Sequence, residues 1–225
     1  GPDILALPSV PTSYATMALN FALERGFEAA HVVEGCGFEP ALLGDADARL
    51  TTHQSTALMA RVQQLTGEQA LGYELGMRTT FTSHRMLGFG VMSSANLMEA
   101  LEIGMRFFRL RNVTFGLQWR VVDDCVELEI QDFAPHAPMR RTATEWLVLS
   151  LARTGQSLLP SSTPNATDES ILRFPWPEPA YHAQYQGKLP VCQFDAPSAA
   201  LRFPIKWLMA RLPSAAQISA CCAAA

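Results

Sequence analysis

Apolar residues recur along this chain first with a helical period and then, beyond Arg111, with a period of two. Tyr14 to Arg25 is an apolar, alanine-rich stretch stopped by Gly26, and Glu28 to Glu34 is a shorter one stopped by Gly35. Glycine after the last turn relieves the left-handed strain of a helix end, so both stretches predict helices. Thr52 to Leu65 predicts a third. Asn96 opens a fourth with Glu99 three residues on, the spacing at which side chains satisfy the free amides of a first turn. Leu97, Ala100, Leu101, Gly104 and Phe108 then mark an inward stripe at helical spacing. Gly104 costs that helix about 1 kcal/mol relative to alanine, which predicts a close neighbour there.

The period then switches. Phe115, Leu117, Trp119 and Val121 alternate with Thr114, Gly116, Gln118 and Arg120. After Asp123 and Asp124, Val126, Leu128 and Ile130 alternate with Glu127, Glu129 and Gln131. This predicts an antiparallel hairpin with one buried and one wet face. Arg140 to Leu159 returns to helix, with Ala143, Trp146, Leu147, Ser150 and Thr154 on one face. Ser161 to Ser170 has loop composition, and short strands around Val191 to Phe194 and Ala200 to Phe203 predict a second hairpin. The expected fold is α+β: N-terminal helices, then an antiparallel sheet of two hairpins plus a single strand, with helices packed on it. A jelly roll would need more strands and fewer helices.

Several of these pieces occur in a recognisable order. Leu65, Thr66 and Gly67 are followed by Leu71, Gly72 and Gly76, then by Leu87, Gly88, Phe89 and Gly90, then by Ser93 and Ser94. Glu99, Ala100 and Leu101 follow, with Arg106 and Phe107 on the same helix. Upstream, Gly26 to Leu50 is a glycine-punctuated helix pair closed by Asp47, Ala48 and Arg49. Downstream, Leu172 to Leu208 reads as strand, proline-rich turn, tyrosine-containing helix and two further strands. In this order the pieces resemble the effector-binding, arabinose-binding-like domain of AraC-type bacterial transcription regulators, over roughly residues 12 to 213. Pro175 and Trp176 depart from the pattern, since many relatives carry a histidine there.

The resemblance implies a ligand-sensing and dimerising domain, bacterial and cytoplasmic, that modulates DNA binding through a C-terminal helix-turn-helix domain. The expected organisation is a tag remnant and flexible lead at 1–11, the effector-binding domain at 12–213, and the start of a linker at 214–225. Gly1 and Pro2 have the look of a cleaved fusion tag. With 17 basic against 21 acidic residues the net charge is -4, whereas a surface that displaces counterions from phosphates is normally basic. DNA contact is therefore expected only through the missing domain. No apolar run approaches the roughly 20 residues of a membrane span.

Candidate chemistry is sparse. The five cysteines are scattered without zinc spacing, and the histidines show no metal pattern. Asp123-Asp124 reads better as a hairpin tip than as an acid/base pair. Ser93-Ser94 has no nearby base, and neither a nucleophile elbow nor a P-loop is present. No catalytic residue, metal or cofactor is expected. A sensor instead needs an apolar pocket with a few orienting polar groups. Met86, Phe89 and Met92, with Met105 and Phe108 on the helix after them, are the expected apolar wall. Arg106 and Arg109 are the expected anchors for an acidic head group. That wall favours a fatty acid or other hydrophobic carboxylate over a sugar, with an amino-acid-type effector also open. The Arg140 to Leu159 helix is the expected homodimer surface through Leu149, Arg153 and Gln156. The alternative is a stand-alone α+β enzyme or lipid carrier.

Overall fold

The computed structural model describes residues 1–79, 93–160, 163 and 169–212, which divide into two compact units. The first comprises Gly1–Arg78, Arg111–Phe115 and Asp132–Trp146; the second comprises Thr79–Leu110, Gly116–Gln131 and Leu147–Ala225.

The first unit is mainly helical. Helix α1 covers Thr12–Leu23, α2 Ala29–Val32, α3 Thr52–Thr66 and α4 Leu71–Arg78. The α3 start is a capping box: Thr51 Oγ1 accepts from the Gln54 amide at 3.1 Å while Gln54 Oε1 accepts from the Thr51 amide at 2.9 Å. Gly67 ends the helix at φ 69°, where its lack of a Cβ removes the steric penalty. Phe21, Val32, Leu50, Leu58, Val62, Leu71 and Leu75 make the core, and Trp146 closes it edge-on to Tyr14. The lead expected at 1–11 instead contains a 3-10 turn, Ile4–Ala6, and strand β1, Pro8–Pro11, paired antiparallel with β2, Arg49–Thr51.

The second unit holds most of a five-stranded sheet. Its strands are β3 (Phe115–Val122), β4 (Cys125–Asp132), β5 (Ile171–Arg173), β6 (Val191–Gln193) and β7 (Ala200–Pro204), in the order β3-β4-β7-β5-β6. The first hairpin forms as expected, and Asp123 supports its two-residue tip at φ 54°. The second does not. Strand β5 lies between β6 and β7, antiparallel to β7 and parallel to β6, so the sheet is mixed. Seventeen residues separate β5 from β6, enough for the crossover that a parallel pair requires and that a two-residue turn cannot make.

Helix α5 covers Leu97–Arg111. Its cap matches the sequence: Asn96 Oδ1 accepts from the Glu99 amide, and Glu99 Oε2 accepts from the Ala95 amide. Leu97 and Ala100 are buried, but the stripe fades to half-buried at Leu101, Gly104 and Phe108. Among the described residues, nothing beyond the adjoining backbone of the helix lies within 4 Å of a Cβ added at Gly104, so none of them supplies the expected close neighbour.

Helix α6, Arg140–Leu158, runs through both units. Thr142, Thr144, Glu145 and Trp146 are buried in the first unit, and Val148, Leu149, Ser150 and Ala152 in the second. Burial on nearly every side replaces the single inward face expected from the sequence. In particular Leu149 is only 1% exposed, and Arg153 Nε donates to the Thr79 carbonyl at 3.3 Å. Leu149 therefore belongs to the core, not to a partner surface.

Candidate functional site

The sequence-derived effector wall divides into two parts. Met105 and Phe108 are half-buried on α5, while Arg106 and Arg109 on the same helix are exposed. A helix turns 100° per residue, so Arg106 and Arg109, three apart, share one face, beside the face that carries Met105 and Phe108. Met86, Phe89 and Met92 lie outside the described residues. Among the described residues, α5 thus offers a mixed strip in which apolar side chains border guanidinium groups.

A second arrangement was not legible in the sequence. Glu127 sits on the face of the first hairpin expected to be wet, yet its side chain is only 2% exposed. Three arginines converge on it from three other strands. Oε1 accepts from Arg120 Nη2 at 2.8 Å and Nε at 3.3 Å; Oε2 accepts from Arg202 Nε at 2.5 Å and Arg173 Nη1 at 3.3 Å. Burial alone would push the carboxyl up. The hydrogen bonds and charges of Arg120 and Arg202 outweigh that and hold it below the ordinary carboxylate range.

Register explains the convergence. Glu127 of β4 is the direct partner of Arg202 on β7, so both project from the same side of the sheet. Arg173 of β5 and Glu129 of β4 both partner Ala200, one step further along that side. The short Ala200 side chain lets Arg173 lean across to Glu127. The opposite side carries Val126 against Phe203 and Leu128, Leu201 and Leu172 in one row, and is the apolar core. The only sequence signal was an arginine at one alternate position in each of β3, β5 and β7, which strand order alone could bring together.

A third feature is an aromatic cluster. The Phe174 ring stacks between Trp176 and Phe194, with centroids 5.2 and 5.9 Å away, and buried His182 meets Phe194 edge-on at 4.8 Å. Burial lowers the His182 pKa against the opposing pull of the Glu178 carboxylate. Among the described residues no group of three or more His, Cys, Asp or Glu side chains is placed to hold a metal ion, and no helix is long and apolar enough to cross a membrane.

Residues 26–212 match the arabinose-binding domain of AraC transcription regulators, an N-terminal domain. The chain belongs to this family. Within it, the chain is 27% identical over 200 residues to an ornithine utilization regulator of Pseudomonas aeruginosa, covering 88% of this chain and 58% of that protein. It is 36% identical over 129 residues to an uncharacterised HTH-type transcriptional regulator of Mycobacterium tuberculosis, covering 56% of this chain and 36% of the relative. In fold it is similar to the crystal structure of the transcriptional regulator CdpR from Pseudomonas aeruginosa. The TM-score is 0.60 at 19% identity, over 91% of this chain and 59% of that one. The AraC-family chain thus spans less than two thirds of each of these regulators. Its family is a ligand-binding regulatory one, and these relatives are named as regulators.

Proposed function

We propose that this AraC-family domain binds a small acid with an apolar body, pairs with a second copy, and so controls DNA binding by a segment outside the 225 residues. The family match across 26–212 carries the sensor reading. The effector class is supported by α5, where half-buried Met105 and Phe108 border exposed Arg106 and Arg109. Met86, Phe89 and Met92 complete the wall in this reading. Likeness to an ornithine utilization regulator supports including amino-acid-type carboxylates among the effectors tested, beside fatty acids.

Native mass spectrometry of the purified chain tests this directly: an acid of a few hundred daltons should copurify with it. In calorimetric titration with that acid, Arg106→Ala should weaken binding by about 1.5 to 3 kcal/mol, the worth of a hydrogen bond to a charged group. Unchanged affinity in folded Arg106→Ala and Arg109→Ala proteins would remove α5 from the site. Sedimentation of the chain at micromolar concentration tests pairing, and a monomer throughout would refute dimerisation through this domain.

A further inference from the structure

We propose that Arg173 and Arg202, held in place by Glu127, form a binding site for the carboxylate of a small apolar acid on the polar side of the five-stranded sheet. The inference rests on the ligand-sensing reading and adds to the α5 strip a second acid-binding site, on the sheet.

The hydrogen-bond inventory points to an absent acceptor. An ionised carboxylate has about four acceptor positions, and Glu127 uses all of them on Arg120, Arg173 and Arg202. Each guanidinium has five N–H donors, so donors remain on Arg173 and Arg202 after Glu127 is satisfied. One of them, Arg173 Nε, is buried and meets no acceptor. A buried donor left unmatched is costly, so an incoming oxygen that reached it as the Arg173 side chain shifted would relieve that cost. The two side chains are 21% and 26% exposed, partly withdrawn from water yet open to a ligand, whereas Arg120 is 63% exposed and lies at the rim.

Charge and register define the ligand. Three arginines face Glu127 and, one step along the same side, Glu129, leaving an excess of one positive charge. One positive charge suits a monoanion better than a phosphate dianion or a nucleic-acid backbone. The planar fork of a guanidinium matches the two oxygens of a carboxylate. The row that begins with Glu127 and Arg202 continues through Ile171 of β5 to Val191 of β6. Ile171 is half-buried and Val191 exposed, so an apolar strip adjoins the arginines. A carboxylate bound at Arg173 and Arg202 would lay its hydrocarbon part on that strip.

The test is an NMR titration of the arginine Nε–Hε signals of the 225-residue chain, in low-chloride buffer, with sodium benzoate, sodium acetate and inorganic phosphate. Benzoate should shift the Arg173 and Arg202 signals saturably, and acetate should do so more weakly because it leaves Ile171 and Val191 uncovered. Arg173→Lys keeps the charge but loses the fork, and should weaken benzoate binding about 10- to 100-fold. Glu127→Gln should melt lower than the unmodified chain and recover more of its melting temperature on adding benzoate, because the outside carboxylate then replaces the missing one. Should Glu127→Gln not fold, the titrations of the unmodified chain and of Arg173→Lys decide alone. Benzoate shifting Arg106 or Arg109 while Arg173 and Arg202 stay still would overturn this site and leave the sensor reading intact. Silence of every arginine would overturn it too, and so would phosphate acting as strongly as benzoate.

Discussion

Gly72 on α4 lies so close to Glu145 on α6 that a methyl group at Gly72 would stand 2.7 Å from the Glu145 Cβ and 2.6 Å from the Thr142 carbonyl oxygen. Those distances are shorter than carbon contacts allow, and one of the neighbours is backbone, which cannot swing aside. At Gly72, therefore, α4 and α6 approach main chain to main chain. Its presence in the Leu-Gly-x-x-x-Gly motif has a packing cause.

Gly72→Ala should lower stability by about 1 to 3 kcal/mol, the usual cost of overpacking, even though alanine is the better helix former. Gly104→Ala should do the reverse and raise it by about 0.5 to 1 kcal/mol, because no described residue crowds Gly104. Urea melts of the two variants check both signs. A stabilised Gly72→Ala protein would contradict the close contact.

Glu127 should govern part of the acid response. Its folded pKa is lowered, so its contribution is present above the ordinary value of 4.5 and is lost as pH falls through the lower folded value. Glu127→Gln should cost about 3 kcal/mol near neutral pH, toward the lower end for a broken buried ion pair because the arginines keep contact with water. The gap between the two proteins should narrow as the solution is acidified. Melts across that range check it, and parallel pH profiles would refute it.

His182 acts at milder pH. Burial keeps its folded pKa below 6.5, so the unfolded chain takes up the proton first and stability declines as pH falls below that value. His182→Gln should flatten this part of the profile. Urea midpoints at about pH 7.5 and about pH 5.5 measure the difference.

Leu149→Ala should destabilise the fold by about 2 to 5 kcal/mol, as expected for a buried leucine. Its folded fraction should sediment like the unmodified chain, because the Leu149 side chain lies in the core. A loss of self-association without a loss of stability would return Leu149 to the surface.

Helix α5, its Asn96 cap and the β3-β4 hairpin were readable from short windows of sequence, because a hydrophobic period, a capping side chain and a turn pair are local signals. Family membership was readable for a related reason: a motif is an order of residue types along the chain, which can be read without knowing their contacts. The expected β6-β7 hairpin failed because strands of three to five residues carry no record of their neighbours, and inserting β5 between them is a choice among non-local partners.

The sequence alone therefore determined the α+β class, the period of its longer elements, the acidic net charge and the AraC-type family. Only the tertiary structure decided that Glu127 is buried, that Gly72 is crowded while Gly104 is not, that Leu149 is core, and that Arg106 and Arg109 face water. The physical reason is common to all four. Alternation places a side chain on one side of a strand or helix, but whether that side meets water, an apolar core or three guanidinium groups depends on the elements packed beside it. For Glu127 those elements are β5 and β7, more than forty residues away along the chain.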